Sequence, residues 1–386
     1  MDNKLYFIGY RVTSRLYFHL PIIFLLFWSL NIDFMAVMLI TAIYGLSSNL
    51  ASFFIKNITN KYNSKTIIIF GEILKSLGLL FIFFGAYPGN VNFITIFFGQ
   101  IIGGLGFSIA LSADNGLIKQ ITNNNPLDFT KLQSKTQSLM FISTLFAGFI
   151  GGILFQYNMT WPIIAGIIVS ILSCFIVFFI NIENAHKDHE REKISRNFLD
   201  KISSDTKKWI FYYALLRAFT LAPFVGLLPL YFLIRNLDPY LFGLVLGLFT
   251  LGGFIFSLHG YKILKEIDSN RLFFIMLSAI IISLSCFILE NYFYYYGINL
   301  FYLSLVGMFI LGLSSGSIRT IVVPRIKIDH LDKNEQILVF SYMEKMFGYL
   351  NALILILIGL ITSYFDIIYA LLTIVLVMIF ISISEF

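Results

Sequence analysis

Twelve apolar runs dominate this chain, each near the ~20 residues that a helix needs to cross the hydrocarbon of a bilayer. They fall at 14–31, 34–54, 67–86, 92–113, 137–156, 161–181, 209–233, 240–260, 272–289, 298–318, 337–360 and 366–384. In lipid every backbone N–H and C=O must be satisfied within the protein, so such a chain is built from helices or from a closed barrel. Barrel strands alternate lipid-facing apolar with lumen-facing polar residues, and these runs do not alternate. The expectation is an all-α membrane protein with twelve transmembrane helices in two six-helix bundles. The N-terminus lacks a small-residue cleavage site and apolar runs continue to the other end, which argues against a cleavable signal peptide.

Composition narrows the function classes. Charged residues are 12% of the chain, against about 25% in soluble proteins, and the mean hydropathy is +0.84. An ordinary soluble enzyme and a disordered chain are both excluded. The net charge of +6 does not imply a nucleic-acid partner, because the basic residues have another task. Of the 27 Lys and Arg, 22 fall at the ends and in the alternate intervals that lie on one side of the twelve runs, and the opposite side holds Arg235 alone. That is a positive-inside distribution, and it places both termini in the cytoplasm. The content of Ile, Asn and Phe is that of an AT-rich bacterial genome, so the expected location is a bacterial cytoplasmic (inner) membrane. Cys174 and Cys286 each sit inside an apolar run and read as small core residues, with no disulfide framework or thiolate metal site. No metal or cofactor is expected.

The loops on the less basic side are tiny, and the longest polar stretch, 181–208 with dense charge over 183–193, falls between the sixth and seventh runs. The chain therefore divides into a first six-helix bundle (1–181), a charged cytoplasmic linker (182–208) and a second six-helix bundle (209–386). Paired six-helix halves are common in secondary transporters, with the substrate site near the midplane between them.

Several segments carry a family resemblance. Between the second and third runs stands Lys56-Asn57-Ile58-Thr59-Asn60-Lys61-Tyr62-Asn63-Ser64-Lys65, where Lys61 and Lys65 match the charges of a G-x-L-a-D-R-x-G-R-K signature. Gly99-Gln100-Ile101-Ile102-Gly103-Gly104-Leu105-Gly106 looks like an l-G-R-x-x-x-G-x-G segment with Gln100 in place of the Arg, and Leu111 to Ile118 resembles its continuation. Ser143, Ala147, Gly148, Gly151 and Gly152 follow the spacing of an antiporter signature, of which the closing glycine pair matches. With the six-plus-six plan, the chain resembles the major facilitator superfamily over essentially its whole length, and is similar to its drug- and metabolite-transporting members. The resemblance implies alternating access between the bundles, and the glycine pair leans toward export. It also implies that Asp114, at the end of the fourth run, engages the basic loop through Lys61 and locks the inner gate.

Ionisable groups inside the runs are the first site candidates, because a charge at the bilayer centre costs about 2.5–3.5 kcal/mol on insertion scales. Arg217 lies eight residues beyond Trp209, roughly 12 Å deep at 1.5 Å per residue. Tyr213, Thr220 and Phe224, at i−4, i+3 and i+7, share its face, a combination suited to an anionic or zwitterionic, partly aromatic solute. Pro223 and Pro229 stand further along the same run and are placed to break it near the outer gate. In the eleventh run Lys345 shares a face with Tyr342 and Tyr349, and Glu344 shares another with Asn351. One of these faces is expected to look into the cavity. Gln100, at the position of the family's Arg, completes the expected substrate-binding set. Glu72 and Lys75 read as a local i,i+3 ion pair, with Glu72 also a candidate protonation site beside Asp114 and Glu344. His19 reads as structural, Asp33 as interfacial and Arg319 as snorkelling to the basic side. Tyr292 to Phe301 reads as an aromatic belt.

No G-x-x-x-x-G-K-[ST] loop occurs, so ATP does not power the protein directly. The expected function is secondary active transport of a small organic, anionic solute coupled to protons, as a monomer in membrane lipid. Uptake of a nutrient or metallophore is the alternative to export. A membrane-embedded enzyme is the third reading, and neither an H-x-x-x-x-D pair nor a sizeable outer loop supports it.

Overall fold

The computed structural model describes residues 3–384 except 60, 88, 123–124, 182–200, 261–266, 329–330 and 332. The charge run at 183–193 and most of the expected linker lie outside the described residues, as do Asn60, His186, His189 and His330. In chain order the first half comprises α1 (Asn3–Thr13), α2 (Ile23–Ser29), α3 (Phe34–Ile58), α4 (Ser64–Gly85), α5 (Phe93–Ile121), α6 (Pro126–Tyr157) and α7 (Trp161–Phe178). The second comprises α8 (Ser204–Ala222), α9 (Leu228–Ile234), α10 (Pro239–Ile255), α11 (Ser269–Tyr295), α12 (Phe301–Ser317), α13 (Val323–Arg325), α14 (Lys333–Tyr364) and α15 (Ile367–Ser384).

Several helix starts use a polar side chain to satisfy N–H groups that lipid would leave bare. Asp33 accepts from Met35 N, Asn63 from Thr66 N, Asn92 from Thr95 N, Asn125 from Leu127 N and Asp128 N, and Ser203 from Thr206 N. The Ser203 cap starts α8 five residues before the expected Trp209. Its two prolines do not break the rod. Pro223–Leu227 is a widened π-helical turn that runs straight into α9. Similar π-helical turns end α10 (Phe256–Gly260) and α12 (Ile318–Val322).

Among the described residues ten helical stretches are long and apolar enough to cross a membrane, and Ile367–Ile383 is a shorter apolar one. The expected first span, 14–31, is not one helix. After α1 the backbone unwinds through Ser14–His19, makes a 3-10 turn at Leu20–Ile22 and resumes as α2. Pro21 withholds an N–H from any continuous ladder. The freed carbonyls are met from neighbouring helices: Lys75 Nζ donates to Ser14 O at 3.2 Å and Thr144 Oγ1 donates to Arg15 O at 2.9 Å. Non-helical backbone at membrane depth is tolerated in this way, buried in protein or lining a cavity.

Glycines set how closely the helices approach. On α4, Gly71, Gly78 and Gly85 recur every seven residues, and a Cβ on Gly78 would lie 2.5 Å from the N and Cα of Gly103 on α5. The two halves meet along α3 with α14 and α6 with α10. Gly348 of α14 packs on Gly45 and Ser48 of α3, and Gly243 of α10 lies against Gly148 of α6.

Candidate functional site

Between the two halves lies a cavity of about 260 Å³. The unwound stretch after α1 supplies Arg15, Tyr17 and His19 to its wall, α3 supplies Tyr44 and Ser48, and α4 supplies Lys75. Gln100 and Phe107 come from α5, and Gln137 and Phe141 from α6. Across from them α8 places Arg217 and Thr220, the π-helical turns place Phe224 and Arg319, and α14 places Glu344, Phe347 and Asn351.

The second half of the cavity is organised around Glu344, which is 1% exposed. Arg217 Nη1 donates to its Oε2 at 2.6 Å, Tyr213 Oη donates to Oε1 at 2.8 Å, and Arg319 Nη2 approaches Oε1 to 3.6 Å. Arg217 Nη1 also donates to Tyr213 Oη at 2.5 Å, and its guanidinium lies 4.0 Å from the centroid of Phe347. Phe224 stacks on Phe249 with centroids 4.0 Å apart. Tyr213 thus stands behind the wall and orients the carboxylate, whereas Arg217, Thr220 and Phe224 line the cavity.

The first half has a matching arrangement. Arg11 Nη2 reaches Asp114 Oδ1 at 3.1 Å and Arg15 Nη2 reaches Asp114 Oδ2 at 3.4 Å, all three side chains being buried. Arg11 also donates to Asn115 Oδ1 and Gln133 Oε1. Beside this cluster Glu72 accepts from Lys75 at 2.7 Å, from Ser173 Oγ at 3.0 Å and from Tyr10 Oη at 3.4 Å. Each half therefore holds one carboxylate shared by two guanidiniums.

Three expected placements are corrected. Asp114 is not paired with Lys61, which is exposed; its ion pairs are with Arg11 and Arg15. Those arginines enter the bundle because the chain unwinds just after α1. Lys345 and Tyr349 do not line the cavity. Glu344, Phe347, Gly348 and Asn351, at i, i+3, i+4 and i+7, turn that face of α14 inward, and on a helix Lys345 then points about 100° away. Tyr349 is 51% exposed and lies 6.0 Å by its ring centroid from Lys345 Nζ, on the outer side. Arg319 does not snorkel: it is 5% exposed and lines the cavity.

The sequence reading missed Arg11 and Arg15 by counting them as membrane-flanking charge. Two arginines four positions apart at the end of an 11-residue helix, Arg11 within it and Arg15 just beyond, upstream of a buried-type Asp in α5, were the available signal. His19, Ser48 and Gln137 were also outside the expected site. Each lines the cavity, and each, like Arg319 and Asn351, also carries a buried side-chain polar atom with no hydrogen-bond partner among the described residues. Gly151, part of the antiporter-like spacing, packs on the backbone of Phe18, where a Cβ would collide with the carbonyl oxygen.

The family model for the Major Facilitator Superfamily matches residues 14–329. The chain belongs to this superfamily. It is a multi-pass integral membrane protein of a transporter family, and not an enzyme. No curated protein matches its sequence. Among solved structures it is similar to a point mutant of the nucleoside transporter NupG, at 14% identity and a TM-score of 0.72, with all of both chains covered. A second NupG structure aligns at 12% identity and a TM-score of 0.70, covering all of this chain and 98% of that one. A bacterial homologue of the iron transporter ferroportin, outward-facing, aligns at 16% identity and a TM-score of 0.65, covering all of this chain and 99% of that one. At these identities the likeness is one of fold.

Proposed function

We propose that this protein is a secondary active transporter of a small organic anion, working by alternating access in a bacterial cytoplasmic membrane with both termini inside. The observation that carries the reading is the charge on the cavity wall. Arg15, Lys75, Arg217 and Arg319 line it, with Glu344 as the sole carboxylate among the described lining residues, and Arg319 Nε has no acceptor while its Nη2 stands 3.6 Å from Glu344. Buried donors of this kind call for an acceptor, and a bound anion supplies one. Phe107, Phe141, Phe224, Phe249 and Phe347 give the solute an apolar or aromatic body to pack against. A neutral nucleoside, or a bare iron cation such as the names of the similar structures suggest, would leave these guanidiniums unanswered.

Alternating access needs groups that sense loading and gaps that close. Gly116 on Ile337 and Ser134 Oγ donating to Ser257 O join the halves at the basic end, and Gly359 on Met38 joins them at the other. Protons are the proposed coupling ion and Glu344 the carrier. Its protonation releases Arg217 from the carboxylate and frees it for the solute. Glu72 and Asp114 are held in their own ion pairs and serve the first half's packing. Gly151, one of the glycine pair that leaned the sequence toward export, is accounted for by the close approach of Phe18, so direction rests on flux.

The test is flux of organic anions into and out of proteoliposomes under an imposed pH gradient of either sign. Anion accumulation that follows the gradient and falls at least tenfold in Arg217→Ala supports the reading. Full flux in that variant overturns the site assignment, and absence of anion flux under both gradients overturns the function.

A further inference from the structure

The two shared carboxylates have a consequence for the charge of the solute. Asp114 answers one of its two arginines and leaves the first half one positive charge in excess; Glu344 does the same for Arg217 and Arg319 in the second. Lys75 adds nothing to this excess, since Glu72 neutralises it at 2.7 Å. The excess charges are not remote from each other. Arg15, Arg217 and Arg319 line the same cavity between the halves. Two like charges facing each other there are unfavourable until something neutralises both.

We propose that the cavity selects a dianion, held between Arg15 of the first half and Arg319 of the second. This deepens the organic-anion reading and rests on it. Arg319 brings a guanidinium whose Nη2 stands 3.6 Å from Glu344 and whose Nε has no hydrogen-bond acceptor, and Arg15 brings a guanidinium held over Phe107 at 5.0 Å. The fork of a guanidinium matches carboxylate and phosphate oxygens alike, so the class comprises dicarboxylates and phosphate monoesters. A single charge would neutralise one half and leave the other in excess.

The experiment is binding to the purified full-length protein at pH 8, by calorimetry, with benzoate, terephthalate and phenyl phosphate as probes. These share a ring and differ in charge and in anionic group. At least one of the two dianions is expected to bind ten times or more tightly than benzoate, and the stronger of the two identifies the source of the charge. Arg319→Gln and Arg15→Gln should each bring that ratio to within twofold of one, and Arg319→Lys should retain a preference. Arg319→Gln removes the more distant of the two guanidiniums on Glu344 and leaves the carboxylate paired with Arg217, so its empty form should fold and remain available for binding. Benzoate binding as tightly as both dianions, or a ratio unchanged in both glutamine variants, overturns the two-charge inference and leaves the organic-anion reading standing. Failure of all three probes to bind, with no anion flux in proteoliposomes, overturns that reading as well.

Discussion

Replacing Glu344 with Gln is the sharpest perturbation of the second half. In the parent, one carboxylate serves Arg217 at 2.6 Å, Tyr213 at 2.8 Å and Arg319 at 3.6 Å. Glu344→Gln leaves two buried guanidiniums without a counter-charge, and removing one partner of a buried pair costs about 3–5 kcal/mol. Arg217→Gln is milder. Glu344 keeps Arg319 as a neutralising partner, and the loss approximates a charge-assisted hydrogen bond, about 1.5–3 kcal/mol. Because both changes act on one network, the double variant should be less destabilised than the sum, with a coupling above ~0.5 kcal/mol, the limit within which independent sites add. Reversible unfolding in mixed micelles, followed by tryptophan fluorescence, measures all four corners of the cycle. Trp209 reports on the right region, being 2% exposed on α8, the helix that carries Arg217. Arg217→Gln as costly as Glu344→Gln, or strict additivity, would refute the shared-carboxylate account.

Three further outcomes follow from the packing. Gly78→Ala should lower the melting temperature, since its Cβ falls 2.5 Å from backbone atoms of Gly103 and overpacking costs about 1–3 kcal/mol; Gly103→Ala, whose nearest neighbour is Tyr44 Cε2 at 3.5 Å, should change it far less. Asp114→Asn deprives Arg11 and Arg15 of their shared carboxylate and should loosen the basic end, read as faster maleimide labelling of an Ile337→Cys probe that packs on Gly116; unchanged labelling would separate that cluster from closure. Lys345→Gln and Tyr349→Phe should leave flux within twofold of the parent, because neither side chain lines the cavity.

Much of the fold was legible because lipid is an exacting solvent. The apolar runs had to be helices, since lipid leaves no other partner for their backbone groups. Where the reading failed, the cause was local chemistry that hydropathy does not register. The 14–31 run counts as a span by composition, yet Pro21 and the demand of Asp114 for Arg11 and Arg15 unwind it. Arg319 looked like a snorkelling residue near a helix end, and the π-helical turn at Ile318–Val322 carries it inward instead.

The sequence by itself determined a helical, multi-pass membrane protein of the Major Facilitator Superfamily, and it pointed to Arg217, Thr220 and Phe224, which the structure places on the cavity wall. Periodicity fixes which residues share a face, so it could pair Arg217 with Thr220 and Phe224, and Glu344 with Asn351. It could not say which face of α14 turns inward, nor that Asp114 would pass over Lys61 for two arginines more than ninety positions away. Those choices depend on helix rotation and on contacts between the halves, which glycines such as Gly348 and Gly243 set by letting backbones touch. The balance of two carboxylates among four arginines exists only once the halves are folded against each other.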